Sequence, residues 1–171
     1  MAKYRRRRYR KKSSRWSANI TDVGPIENTL AAGPSYVSNT TTLVTNPVQS
    51  TVTTSTVYTV KNIEGAFTIE TSDGDLLVEA FTAYIMFVPQ GMNVNENYNI
   101  QHPEYIMAYK FYGSPSTDAD QQFQPIKIKT RLSRKLQTGD SIVLFVKAYN
   151  QASTARTYTL QGVVRWWTKS N

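Results

Sequence analysis

"PIKIKTRLSRKLQTGDSIVLFVKAYN", residues 125–150, decides the fold class. In "IKIKT" apolar and cationic residues alternate strictly, which is the period of a pleated strand and not of a helix. Extended, this stretch puts Ile126, Ile128 and Leu132 on one side and Lys127, Lys129 and Arg131 on the other. "RKLQTGD" then reads as a turn, and "DSIVLFVKAYN" as a second strand built from the β-branched and aromatic residues that suit a half-buried sheet.

The same texture extends outward. "STVTTSTVYTVKN" (50–62) and "GAFTIET" (65–71) are rich in Thr, Val, Tyr and Phe, and "SDGD" (72–75) is a tight-turn sequence. "LLVEAFTAYIMFVPQG" (76–91) follows, apolar on both pleat faces from Tyr84 to Val88, as in a strand covered on both sides. "PEYIMAYKFYG" (103–113) and "ARTYTLQGVVRWWT" (155–168) complete the strand set, with polar connections at 91–103, 113–125 and 150–155. Residues 18–50 are rich in Ser, Thr, Asn, Pro and Gly and read as an extended lead-in with one edge strand. There is no heptad, no long helix-period stripe and no internal repeat. The expected fold is all-β: a two-sheet antiparallel sandwich of jelly-roll type.

Ahead of this body stands "MAKYRRRRYRKKSSRW". Its cations are Lys3, Arg5, Arg6, Arg7, Arg8, Arg10, Lys11, Lys12 and Arg15, with no acid among them. The first seventeen residues hold nine cations of the chain's 20, which leaves 11 against 12 acids afterwards. A near-neutral body of 154 residues thus carries a cationic tether, and the net charge of +8 comes from that arm. Such a run repels itself and buries little, so residues 1–17 are expected to be a disordered arm and 18–171 the folded domain. Tyr4, Tyr9 and Trp16 lie among the cations, where rings can stack on unpaired bases and guanidinium forks can hold phosphates. Nucleic-acid binding is the use this pattern favours, with nuclear import through the same residues and a solubilising tail as the bland alternative. The outward cations Lys127, Lys129 and Arg131 face the same polyanion or simply face solvent.

Trp166 and Trp167 are adjacent on a strand and must point to opposite sides. One can fill the core; the other needs a cover, from a partner subunit or from a loop, so both are candidate interface residues. The case for catalysis is poor. His102 is the single histidine, its neighbour Glu104 lies two residues on, and no nucleophile motif or phosphate loop accompanies them. The acids Asp73, Asp75 and Glu79, and Asp118 with Asp120, lack calcium-loop spacing and read as solvated turns. No cofactor or metal site is expected. The absence of cysteine rules out a disulfide framework and a Cys-ligated zinc site. The longest apolar run, "AYIMFVP", is too short to span a bilayer and no signal peptide is visible, so a soluble protein made in a reducing compartment is expected, with no membrane insertion.

Three segments carry a family resemblance: "AYIMFVPQGM" (83–92), "HPEYIMAYKFYGSP" (102–115) and "QPIKIKTRLSRKLQTGDSIVLFVKA" (124–148). In order and spacing they resemble capsid proteins of circular, Rep-encoding single-stranded DNA viruses, the circovirus-like group whose capsids resemble satellite tobacco necrosis virus. The resemblance spans roughly residues 57–150, and "LSRKLQTGDSIVL" (132–144) is its most specific part. It implies a single jelly roll, a T=1 icosahedral shell of sixty copies, and an arm turned inward on a single-stranded DNA genome. It further implies a virion protein that meets a host nuclear import receptor, assembles in the host nucleus, and engages a host cell receptor not readable from the residues. The chain is shorter than typical circovirus capsids, and "RWWTKSN" (165–171) matches no motif of the group. Phosphate attraction is blind to the sugar, so a satellite-type RNA virus capsid stays open as an alternative, as does a nonassembling nucleic-acid-binding β protein.

Overall fold

The computed structural model describes residues 15–47, 57–71, 80–113, 125–150 and 153–170. Their strands are β1 (Ser17–Leu30), β2 (Ser35–Thr45), β3 (Tyr58–Thr71), β4 (Ala80–Val88), β5 (Ile106–Gly113), β6 (Ile126–Thr130), β7 (Arg134–Leu136), β8 (Ser141–Asn150) and β9 (Arg156–Ser170). Pairing is antiparallel throughout and nested: β1 lies on β9, β2 on β8, β3 on β6 and β7, and β4 on β5. A long antiparallel ribbon rolled over on itself produces this nesting, which is the jelly roll. The roll closes through β9 against β3 and β8 against β4. Two sheets result, β1-β9-β3-β6 with β7 beside β3, and β2-β8-β4-β5. The all-β sandwich expected from the sequence is the fold observed.

Alternation sets the core. Val60, Ile63 and Phe67 of β3, Ile126 and Ile128 of β6, and Tyr158, Leu160 and Val164 of β9 turn inward from one sheet. Phe81, Ala83 and Ile85 of β4 and Ile142, Leu144 and Val146 of β8 meet them from the other. Gly162 sits where β9 crosses Phe67, and a Cβ there would run into the carbonyl of Ala66, so this close approach requires glycine.

A second, smaller core lies on the far side of β4 and β8. Met86, Val88, Val143 and Phe145 pack there against Tyr98, under the β4–β5 connection. That connection holds a short helix, α1 (Tyr98–Gln101), and a 3-10 turn at Pro103–Tyr105. Tyr84 to Val88 is therefore covered on both faces, as its unbroken apolar run predicts. Tyr98 is fully buried and donates its hydroxyl to the Phe87 carbonyl at 3.3 Å. Burial, with Tyr105 and Glu104 adding smaller effects, pushes its phenol up to about 12. The unfolded phenol ionises near pH 10 and the folded one later, so the contribution is intact below about pH 10 and is lost as pH rises toward 12. Tyr98→Phe should show a shallower loss of stability across that window, read by chemical denaturation at stepped pH alongside tyrosinate absorbance.

The turn before β8 is a lock. Gly139 has φ +87°, which lets the chain reverse, and the buried Asp140 carboxylate accepts the N–H groups of Gln137 at 2.8 Å and Gln90 at 3.0 Å. Asn46 closes it from the end of β2, donating its backbone N–H to the Asp140 carbonyl and its side chain to the Leu136 carbonyl. Asp140→Ala leaves those backbone donors without their acceptor, and should cost about 1–3 kcal/mol in urea unfolding.

Four expectations need correction. The lead-in forms two long strands, β1 and β2, and not one edge strand, because its Thr and Val residues suit strand faces and pairing with β9 and β8 holds the polar positions between them. "PEY" is a 3-10 turn, so β5 begins only at Ile106. "RKL" is the short strand β7, paired with the start of β3, and not part of a turn. Leu132 does not join Ile126 and Ile128: β6 ends at Thr130, and Leu132 is exposed in the connection to β7. The acids Asp73, Asp75, Glu79, Asp118 and Asp120 lie outside the described residues, as does most of "STVTTSTV".

Candidate nucleic-acid interface

The register of the β1-β9-β3-β6 sheet gathers cations that are distant in sequence. On its outward face Lys61 of β3 stands opposite Trp167 of β9, and Glu64 stands opposite both Arg165 of β9 and Lys129 of β6. Thr59 stands opposite Lys169 on one flank and Lys135 on the other, and Ala66 opposite Lys127. One end of this face is thus lined by Lys61, Lys127, Lys129, Lys135, Arg165 and Lys169. The far end carries Glu27 of β1, opposite Thr159, while Asp22, opposite Val163, shares a row with Ala66 and Lys127 at the border of the basic end. The charge is polarised along the strands.

Glu64 is the acid within the basic end. Its carboxylate lies 2.6 Å from Lys129 Nζ and 4.0 Å from Arg165. The hydrogen bond from Lys129 comes first in holding the Glu64 carboxyl below its ordinary range; desolvation, the next largest effect, opposes it, and the charges of Lys129, Arg165 and Arg131 add to the lowering. Arg131, exposed just beyond β6, is therefore electrostatically part of this end.

Two indoles stand among the cations. Trp16, immediately before β1, has Lys61 Nζ 3.8 Å and Lys169 Nζ 6.0 Å from its ring centre. Trp167 has the Arg165 guanidinium 4.4 Å from its ring. Because Ser17 pairs with Thr168, β1 begins at the basic end, and residues 1–14 are joined to the fold there.

The positions foreseen from sequence divide as follows. Lys3, Tyr4, Arg5, Arg6, Arg7, Arg8, Tyr9, Arg10, Lys11 and Lys12 lie outside the described residues. Arg15 and Trp16 precede β1 at the basic end, and Lys127 and Lys129 are exposed on the outward face. Trp166 is only 6% exposed and packs in the core, whereas Trp167 takes the outward side. Trp166 is thus the one of the pair that fills the core, and Trp167 the one that needs a cover. Sequence reading missed Lys61, Lys135, Arg165 and Lys169. Their signal was parity, since each alternates with a residue that points inward, such as Val60, Leu136 or Val164.

His102 does other work. Its Nδ1 lies 3.3 Å from Glu104 Oε1, and its ring packs against Tyr98 and Tyr105 at centroid distances of 5.0 and 5.4 Å. This is a clasp within the β4–β5 connection. Among the described residues no cluster of three or more His, Asp or Glu is placed to hold a metal, and no helix is long and apolar enough to cross a membrane.

No protein-family model and no curated protein matches the chain. Among solved structures, a chain of maize chlorotic mottle virus is similar over 90% of this chain and 93% of its own, with 7% identity and a TM-score of 0.45. The Eiger TNF of S. frugiperda is similar over 81% of this chain and 90% of its own, at 11% identity and a TM-score of 0.30. A chain of infectious bursal disease virus, Gx strain, is similar over 92% of this chain and 43% of its own, at 10% identity and a TM-score of 0.20.

Proposed function

We propose that the chain is a viral capsid protein that closes into a T=1 shell of sixty copies and packages a single-stranded DNA genome. The observation that carries this reading is the meeting of two basic features at one place: the Arg-rich arm joins the fold at the cationic end of the β1-β9-β3-β6 sheet. With that sheet turned to the inside of a shell, arm and face would address the same polyanion, and the β2-β8-β4-β5 sheet would face outward. Preference for DNA rests on the resemblance of residues 57–150 to circovirus-like capsids, and import into the host nucleus on Arg5 to Lys12 as a basic signal read by an import receptor. The protein is read as a structural subunit and not as an enzyme.

A nonassembling nucleic-acid-binding protein is the second reading, favoured by the basic patch on the fold itself. Size-exclusion chromatography with light scattering separates the two. Sixty chains of 19.4 kDa make a particle of about 1.2 MDa, the expected result. A monomer or small oligomer carrying nucleic acid would replace the capsid reading with the second one.

A further inference from the structure

Charge alone does not account for the basic face. Phosphate binding needs cations and gains nothing from an indole left in water, yet Trp16 is 37% exposed and Trp167 stands on the outward side of β9. Both rings are held by cations of two strands: Lys61 of β3 and Lys169 of β9 at Trp16, and Arg165 of β9 at Trp167. Opposite Trp167 on β1 is Ala18, a small side chain that leaves that flank of the ring open, while on the β3 side the ring stands opposite Lys61.

We propose that Trp16 and Trp167 form a base-stacking site for an unpaired strand, with Lys61, Arg165 and Lys169 taking the flanking phosphates. The proposal rests on the reading of this face as a nucleic-acid interface and adds what that reading leaves unassigned, the residues that distinguish an unpaired strand from a duplex. A base that stacks on either indole brings its phosphates within reach of ammonium or guanidinium groups already held at the ring. Stacking is tolerant of sequence because every base has a π-face. It is intolerant of pairing, since in a duplex those faces are already occupied by neighbouring base pairs. The cations therefore supply attraction to any nucleic acid, and the tryptophans supply the preference for single strands.

The test uses the full chain and its own fluorescence. The sequence has three tryptophans, and the third, Trp166, is in the core, so quenching reports mainly on the two at the face. The probes are a thymidine homo-oligonucleotide and a DNA duplex of equal total charge, titrated at low and high salt. The single strand should quench strongly, and its binding should survive salt that removes the duplex, because stacking is not screened. Variants that lack these rings are followed instead by the anisotropy of dye-labelled probes: Trp16→Leu with Trp167→Leu should bind both probes at low salt, with its high-salt preference for the single strand reduced by about ten- to a hundredfold. Trp16→Phe with Trp167→Phe, which keeps flat rings, should restore much of that preference. Equal binding of both probes by the unaltered chain at high salt, or an undiminished preference in the Leu variant, would overturn the stacking site and leave the electrostatic reading standing. No binding of either probe at low salt would overturn both.

Discussion

Chains lacking residues 1–14 are expected to fold and to form shells that contain almost no nucleic acid. The cut removes Lys3, Arg5 to Arg8, Arg10, Lys11 and Lys12, and what remains has twelve cations against twelve acids. A shell of sixty chains would lose roughly 480 positive charges, enough to neutralise about half of a single strand on the order of a thousand nucleotides. Each neutralised phosphate releases condensed counterions, so affinity depends on the number of cations as a power and not as a sum. The basic end of the sheet has Lys61, Lys127, Lys129, Lys135, Arg165 and Lys169, but Glu64 neutralises part of it, which leaves fewer net charges there than the eight that the cut removes.

Where the cut falls matters. The composition of the arm suggests a boundary at residue 17, but β1 begins at Ser17, paired to Thr168, and Trp16 lies against Lys61. A deletion through residue 17 would take the first residue of an edge strand and an aromatic contact as well, confusing loss of packaging with loss of stability. With the cut at 14, circular dichroism should be unchanged and particle size retained, while the ultraviolet absorbance ratio falls to that of protein alone. Particles of the truncated chain that keep the full nucleic-acid signal would transfer the packaging role to the sheet face.

How much of this was legible beforehand differs by the kind of information. Strand character was legible at Ile126 to Thr130 because burial on one face imposes period two locally, and at Ile142 to Val146 because a short run of β-branched and large apolar residues suits a strand buried on both faces. β1 and β2 were concealed because their outward positions and several inward ones are polar. Asn19, for instance, stands opposite Trp166 and satisfies its amide on Thr168 at 3.0 Å. The site was half legible for a different reason. Lys127, Lys129 and Arg131 are neighbours in sequence, whereas Lys61, Arg165 and Lys169 become neighbours only because β9 inserts between β1 and β3. That adjacency belongs to the long-range topology, which no local pattern encodes. The adjacent tryptophans show the limit most clearly, since parity says that they face opposite ways but not which way each one faces.

The structure answers that question, and the answer predicts opposite outcomes for the two single substitutions. Trp166 is packed with Val164 and Val60 in the core, so Trp166→Ser removes a large buried ring and should cost about 3–5 kcal/mol, enough to unfold a marginal domain at ordinary temperature. Its indole N–H has no acceptor among the described residues, so this cost comes from lost packing and not from a lost hydrogen bond. Trp166→Phe should accordingly be far milder, since it keeps an aromatic ring in the site and removes a donor that has no acceptor there. Trp167→Ser takes away only an outward ring whose described polar neighbour is Arg165, 4.4 Å away, and should change stability by less than about 1 kcal/mol. Urea denaturation of the three variants measures these costs directly, and the yield of soluble protein should follow the same order. If Trp167→Ser unfolded the chain as readily as Trp166→Ser, the outward placement of Trp167 would be wrong, and with it the aromatic lining of the basic face.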